Sequence, residues 1–268
     1  MTVPADDPLP EAVGLVRGAT GNGLPLRLLG GLGVRVLCPG FPPRLRPGQD
    51  MDLACTSKGR REVAAYLEAS GCTPDRRFNN LNGDQQMYFT APSGRPVDVM
   101  VDRLVMCHTL DLRPSFRNSS LTLDPADLLL SKLQIVELNA KDLHDIAHLL
   151  SGVPVSAGGK GSGAGGKGSS AGGMAGGNGA VIDAHRFGEV LAGDWGWWRT
   201  STGNLAMLPK LLAGNPALPP PGARFDPLAQ AARLLEIAND VPKTLKWKTR
   251  ARVGDRVKWY ELPEEVAH

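Results

Sequence analysis

Asp50 and Asp52 flank Met51, and a third aspartate, Asp98, stands between Val97 and Val99. In an extended strand residues i and i+2 project to the same side, so Asp50 and Asp52 share one face while Met51 and Leu53 share the other. With Asp98 on a neighbouring strand, the three carboxylates would meet. Hard oxygen ligands of this kind suit Mg²⁺, which takes one or two carboxylates and fills its other positions with water and substrate phosphates. Phosphoryl or nucleotidyl transfer is the chemistry such a cluster serves. Ahead of it, Gly30-Gly31 closes the apolar pair Leu28-Leu29. Glycines at a strand-to-helix turn let backbone N–H groups approach a triphosphate with no Cβ in the way, helped by the helix start that follows.

The elements that must carry these residues can be read from periodicity. Leu24 to Leu29 leads into the glycines, and Met51 to Cys55 alternates apolar and polar as a strand does. Arg60 to Ser70 places Val63, Ala64 and Leu67 at helical spacing and stops at Gly71. Gln86 to Ala91 and Arg95 to Leu104 read as two strands joined by a Pro-Ser-Gly turn, with Asp98 in the second. Asp124-Pro125 opens a helix with an N-cap aspartate and proline at the first helical position, followed by Leu128, Leu129, Leu133 and Val136. Lys141 to Leu150 forms another, with Leu143, Ile146, Ala147 and Leu150 inward. The fold class is therefore α/β, with a short mixed sheet and a mainly helical C-terminal part. A competing dinucleotide-binding reading takes Gly31-Leu32-Gly33 with Asp50 or Asp52 as the ribose acid, but Val36 occupies the third glycine's position.

From Ser151 to Ala180 the chain is almost entirely glycine, serine and alanine, a composition with little to bury and a high cost of ordering. It separates residues 1–150 from residues 181–268 as a flexible linker or insertion. The second part is expected to be helical over Ala184 to Ala192, Asn204 to Leu212 and Pro227 to Asn239. It ends in a basic, tryptophan-bearing tail between Lys243 and Lys258, in which a Val-Gly-Asp turn suggests a small hairpin closing at Trp259-Tyr260.

The chain has 268 residues, 42% of them hydrophobic, and a net charge of +3, so it can bury a large core and is only mildly basic. Met1 to Pro10 lacks the basic start and apolar stretch of a signal peptide, and no run is long enough to span a membrane. Cys38, Cys55, Cys72 and Cys107 are widely spaced with no C-x-x-C pair, which argues against a zinc site or disulfide framework and for reduced, cytoplasmic thiols. His144-Asp145-x-x-His148 mimics a zinc-protease helix, but aspartate is short for the usual base and no third ligand follows. Trp195, Trp197 and Trp198 beside Arg199 could stack a base, although core packing is the favoured role.

A strand ending in Gly-Gly, then Asp-x-Asp, then a third acid on a neighbouring strand resembles the nucleotidyltransferase superfamily that includes DNA polymerase beta. Leu129-Leu130-Ser131-Lys132 and Asp142-Leu143-His144-Asp145 look like the two helical motifs of the AbiEii-type abortive-infection nucleotidyltransferases, some of them toxins paired with antitoxins. The resemblance covers residues 24 to 150. It implies that Gly30 and Gly31 contact phosphates, Asp50, Asp52 and Asp98 hold Mg²⁺, Lys132 reaches the triphosphate, and Asp145 supports the site. It also implies an NTP co-substrate and an acceptor such as RNA, possibly the end of a tRNA, or else a small molecule or protein, with an antitoxin as a further partner. The alternative is a non-catalytic protein of the same fold that binds NTP or nucleic acid.

Overall fold

The computed structural model describes residues 7–43, 45, 48–156 and 179–262. Its centre is a five-stranded mixed sheet built from β1 (Leu26–Leu28), β2 (Met51–Cys55), β3 (Thr73–Pro74), β4 (Gln86–Thr90) and β5 (Pro96–Val101), in the spatial order β1-β2-β5-β4-β3. Only β2 and β5 are parallel; the other neighbours are antiparallel. The expected hairpin is β4 and β5, turned at Pro92-Ser93-Gly94, where Gly94 takes φ of 82°. Because β1 is antiparallel to β2, the glycine turn does not belong to a parallel βαβ unit, and the dinucleotide-binding alternative fails on topology.

Alternation along the strands gives the sheet two faces. Leu26, Leu28, Met51, Leu53, Val97, Val99, Met87 and Phe89 are buried on one, against Ala12 and Val16 of α1 (Leu9–Gly21) and Val63 and Leu67 of α3 (Arg60–Ala69). The opposite face carries Asp52 and Ala54 of β2, and Asp98 and Met100 of β5. Ala54 and Met100 join a second core formed by α5 (Pro125–Leu133) and α6 (Ala140–Gly152), whereas Asp52 and Asp98, nearer the strand beginnings, stay half-exposed. Helices therefore cover one end of this face and leave the acids at the other.

That second core is shared across the glycine-rich stretch. Leu128, Leu129, Leu130 and Leu133 of α5 are fully buried together with Phe187 and Leu191 of α7 (Ala184–Gly193), Leu205 and Leu208 of α8 (Trp195–Ala213), and Leu234 and Ala238 of α9 (Pro227–Asp240). Each such leucine contributes about 1.5–3 kcal/mol on burial, so the two sides stabilise each other. Ser151 and Gly152 close α6, and Val155 bridges Ile182, so order extends into both edges of the segment expected to be a linker. Its central residues, 157–178, lie outside the described residues.

The Val155–Ile182 bridge holds the two flanks of the stretch side by side. Replacing residues 157–178 with about six Gly/Ser residues leaves a reach of roughly 20 Å between flanks that the bridge already holds together. The thermal midpoint of the shortened protein is expected to stay within a few degrees of the parent's in a calorimetric scan. A large fall would mean that the stretch itself holds the two sides together.

The tail departs from expectation. Instead of a hairpin it forms α10 (Leu245–Val253), started by the Thr244 hydroxyl accepting the Trp247 N–H and built from residues of good helix propensity, Lys246, Lys248, Arg250 and Arg252 among them. Asp124 stands at the N-cap of α5 without capping it; its N–H donates to Ser115 Oγ, 2.9 Å. Burial, then Asp127 and Asp183, push its carboxyl up to about 6. The four cysteines are buried and form no disulfide, and burial pushes the Cys38 and Cys55 thiols up to about 12. Among the described residues no helix is long and apolar enough to cross a membrane.

Candidate active site

In the parallel register Met51 pairs with Val97, Asp52 with Asp98 and Leu53 with Val99. Asp52 and Asp98 are thus direct neighbours on strands about 4.8 Å apart, pointing away from the leucine and valine face. Asp50 immediately precedes β2. On the far side of β5, Tyr88 lies opposite Asp98. Burial, and then the charges of Asp98, Asp75 and Asp50, push the Tyr88 phenol above its ordinary range.

Gly30 begins α2 (Gly30–Leu37) with φ of 61°, a left-handed conformation that costs a residue bearing a Cβ about 1–2 kcal/mol. A Cβ there would also overlap Asp52 Oδ2. Glycine is required twice over, once for the backbone and once for the carboxylate. The strand-to-helix corner is held by the Leu29 N–H donating to the Asp52 carbonyl, 2.9 Å. At Gly31 a Cβ would sit 3.5 Å from Asp145 Oδ2, an ordinary contact, so this residue is next to the α6 acids without being sterically demanded.

Asp142 and Asp145 lie three residues apart on one face of α6, and Lys132 reaches them from α5. Its Nζ is 2.8 Å from Asp145 Oδ2 and 3.3 Å from Asp142 Oδ1. Burial alone would depress the ammonium's pKa, but Asp145, Asp142 and the more distant Asp52 outweigh it and hold it above the ordinary lysine range. The residues singled out from sequence therefore form two linked groups: Asp50, Asp52 and Asp98 with Gly30, and Lys132 and Asp145 with Gly31. Asp52 connects them through its contact with Gly30 and its field at Lys132.

Gln86, Tyr88 and Asp142 were not anticipated as members. Gln86 Nε2 donates to Asp98 Oδ1 at 2.6 Å and fixes that carboxylate's orientation. The signal was present in the alternation Gln86-Met87-Tyr88-Phe89, which sends Gln86 and Tyr88 to the same face as the acid on the paired strand. The histidines of the zinc-like motif instead stack on each other, with ring centres 3.8 Å apart. Trp197 is buried in the second core with Trp198 packed against it, as core packing requires, whereas Trp195 is buried outside both cores.

Among the described residues, no three His, Cys, Asp or Glu side chains converge tightly enough to form a ready-made metal cage. The donor set nonetheless fits Mg²⁺. Two adjacent carboxylates with a third two residues away are all oxygen ligands, and the space a Cβ would fill at Gly30 is taken by Asp52 Oδ2. An ion that retains waters and takes substrate phosphates needs no closed cage.

No family model matches the chain, and no curated protein matches it at a significant level. Solved structures similar to it include the lincosamide antibiotic adenylyltransferase LnuA with lincomycin bound, at 15% identity and a TM-score of 0.41 over 55% of this chain and 98% of that one. Another is ANT(2")-Ia in complex with adenylyl-2"-tobramycin, at 13% identity and a TM-score of 0.38 over 53% of this chain and 86% of that one.

Proposed function

We propose that this protein is a Mg²⁺-dependent nucleotidyltransferase that moves a nucleoside monophosphate from an NTP to a hydroxyl of an acceptor and releases pyrophosphate. The observation that carries this reading is the in-register pair Asp52 and Asp98 beside a left-handed Gly30 whose missing Cβ leaves room at the Asp52 carboxylate. Mg²⁺ held by Asp50, Asp52 and Asp98 would neutralise the triphosphate and lower the pKa of the attacking hydroxyl.

The chain's own groups supply the rest. The first turn of α2 presents N–H groups that its helix does not use, so phosphate oxygens have donors at Gly30 and Gly31. The acceptor oxygen attacks the α-phosphorus in line, the bond to the β-phosphate breaks, and the hydroxyl proton passes to the Asp98 carboxylate. Lys132 offsets the charge gathering on the departing pyrophosphate, steadied by Asp145. RNA is the acceptor carried forward from the sequence, on the resemblance and on the basic, aromatic-bearing segment Lys243 to Tyr260. Incubating the protein with each α-labelled NTP, Mg²⁺ and a fractionated cell extract tests the reading: label should enter one fraction and require Asp52. Label that enters nothing with any NTP would overturn it in favour of a non-catalytic binding protein.

Gln86 acts as a positioning residue in this scheme. Losing one hydrogen bond to a charged group costs about 1.5–3 kcal/mol where the bond matters to the reaction. Gln86→Leu is expected to lower kcat roughly tenfold or more while leaving the KM for NTP unchanged. A change in KM alone would assign Gln86 to substrate binding.

A further inference from the structure

A concavity of about 890 Å³ lies away from the acids and shares no residue with them. Its walls are the turn between β6 (Arg103–Val105) and β7 (Thr109–Asp111), the start of α8, and α10 with the extended chain after it. The floor is Trp195, on whose ring the Arg250 guanidinium rests at 4.7 Å. Arg250 also donates to the carbonyls of Gly254 at 2.8 Å and Val257 at 2.6 Å, so this cation is held in place rather than swinging free.

Two half-buried aromatic residues form one wall. Trp259 meets Trp195 edge-on at 5.8 Å and Tyr260 at 5.4 Å. The Trp259 indole N–H donates to Thr200 Oγ1 at 3.1 Å, and His108 Nε2 bonds the same hydroxyl at 2.9 Å. Glu261 N–H donates to the Cys107 carbonyl, tying the end of this segment to the β6–β7 turn. Rings anchored in this way lose little conformational freedom when something flat is laid on them.

The charge around the rings has one dominant sign. From Lys246 to Lys258 there are six basic residues, Lys246, Lys248, Arg250, Arg252, Arg256 and Lys258, against one acid, Asp255. Lys246 and Lys258 stand at the cleft with exposed side chains, Lys258 over the Tyr260 ring at 5.0 Å. Asp194 and Glu261 also line it, so the charge is not uniform there, but the surplus continues along α10 beyond the rim. A small anion would use only one or two of these cations. A ligand that repeats both a phosphate and a flat ring uses the run of cations and the aromatic wall together.

We propose that this cleft binds single-stranded nucleic acid, with bases against Trp259 and Tyr260 and phosphates along Lys246, Arg250 and Lys258. Such contacts read the flat face of a base and the charge of a phosphate, so ribose and deoxyribose strands are held alike. The site goes beyond the transfer chemistry and does not depend on it.

The test is fluorescence anisotropy of the full chain with labelled oligoadenylate and oligodeoxyadenylate of about 12 nucleotides across a salt series. Both should bind, and affinity should fall with salt by roughly 0.7 in log–log slope for each phosphate neutralised. The protein carrying Lys246→Ala and Lys258→Ala should bind at least several-fold more weakly, with its slope reduced by about 1.4. Tyr260→Leu should weaken binding and leave the slope unchanged. Asp52→Asn should bind as the parent does, so failure of the transfer chemistry and failure of the cleft give different results. No binding at low salt, equal binding by the Lys246→Ala, Lys258→Ala protein, or competition by AMP as strong as by the oligomer would overturn the proposal. So would equal affinity for a duplex of the same length, since paired bases cannot reach the rings.

Discussion

The Asp52→Asn protein is expected to fold as the parent does and to lose nucleotidyl transfer by roughly two orders of magnitude or more. The substitution keeps volume and hydrogen-bonding shape but removes one negative oxygen from the centre of the acid group. Asp52 is the residue through which that group is connected: it neighbours Asp98 across the parallel ladder, Gly30 leaves room for its Oδ2, and its field reaches Lys132. Asp98→Asn should do the same without disturbing the glycine corner. Label transfer by Asp52→Asn at the parental rate, with a parental melting curve, would remove the acids from the chemistry.

Lys132→Ala is expected to act on stability and nucleotide binding together. The Lys132 side chain is 16% exposed, and its partners Asp142 and Asp145 are 12% and 6% exposed. Removing one member of a buried ion group leaves the others uncompensated, at a cost of about 3–5 kcal/mol. For a chain of this size that lowers the thermal midpoint by on the order of 10 °C. Restoring balance with Lys132→Ala and Asp145→Ala together should recover part of the loss. Titration with Mg²⁺·NTP well below the new midpoint separates the second effect. Equal affinity in variant and parent would confine Lys132 to holding α5 against α6.

Much of this architecture was legible because local patterns agreed with one another. The hairpin carrying Asp98 was marked by alternation on both sides of Pro92-Ser93-Gly94, and α3, α5 and α6 by apolar spacing with clear stops. The pairing of β2 with β5 was not written locally, because a parallel neighbour is chosen by tertiary packing rather than by a turn. The same holds for Gln86, whose importance depends on register, and for Asp142, whose role depends on where Lys132 arrives from another helix. The tail misled for a different reason. Its Val-Gly-Asp turn is real, with Gly254 at φ of 60°, but it ends a helix instead of joining two strands. Trp195 and Trp197 looked alike in sequence, yet Trp195 lies on the floor of the cleft and the Trp197 indole donates to the Thr109 carbonyl.

The parallel register of β2 and β5 has a cost as well as a use. It sets two negative side chains beside each other on adjacent strands, where Gln86 donates to Asp98 and the field of Asp52 reaches Lys132. Like charges at neighbouring positions repel, and the apolar side chains on the opposite face of the same strands keep the two acids in register. Neutralising either acid should therefore move the melting temperature far less than it moves the rate of transfer. The fold is held together by its leucines, and a screen for thermal resistance alone would pass over the very residues that give this sheet its chemistry.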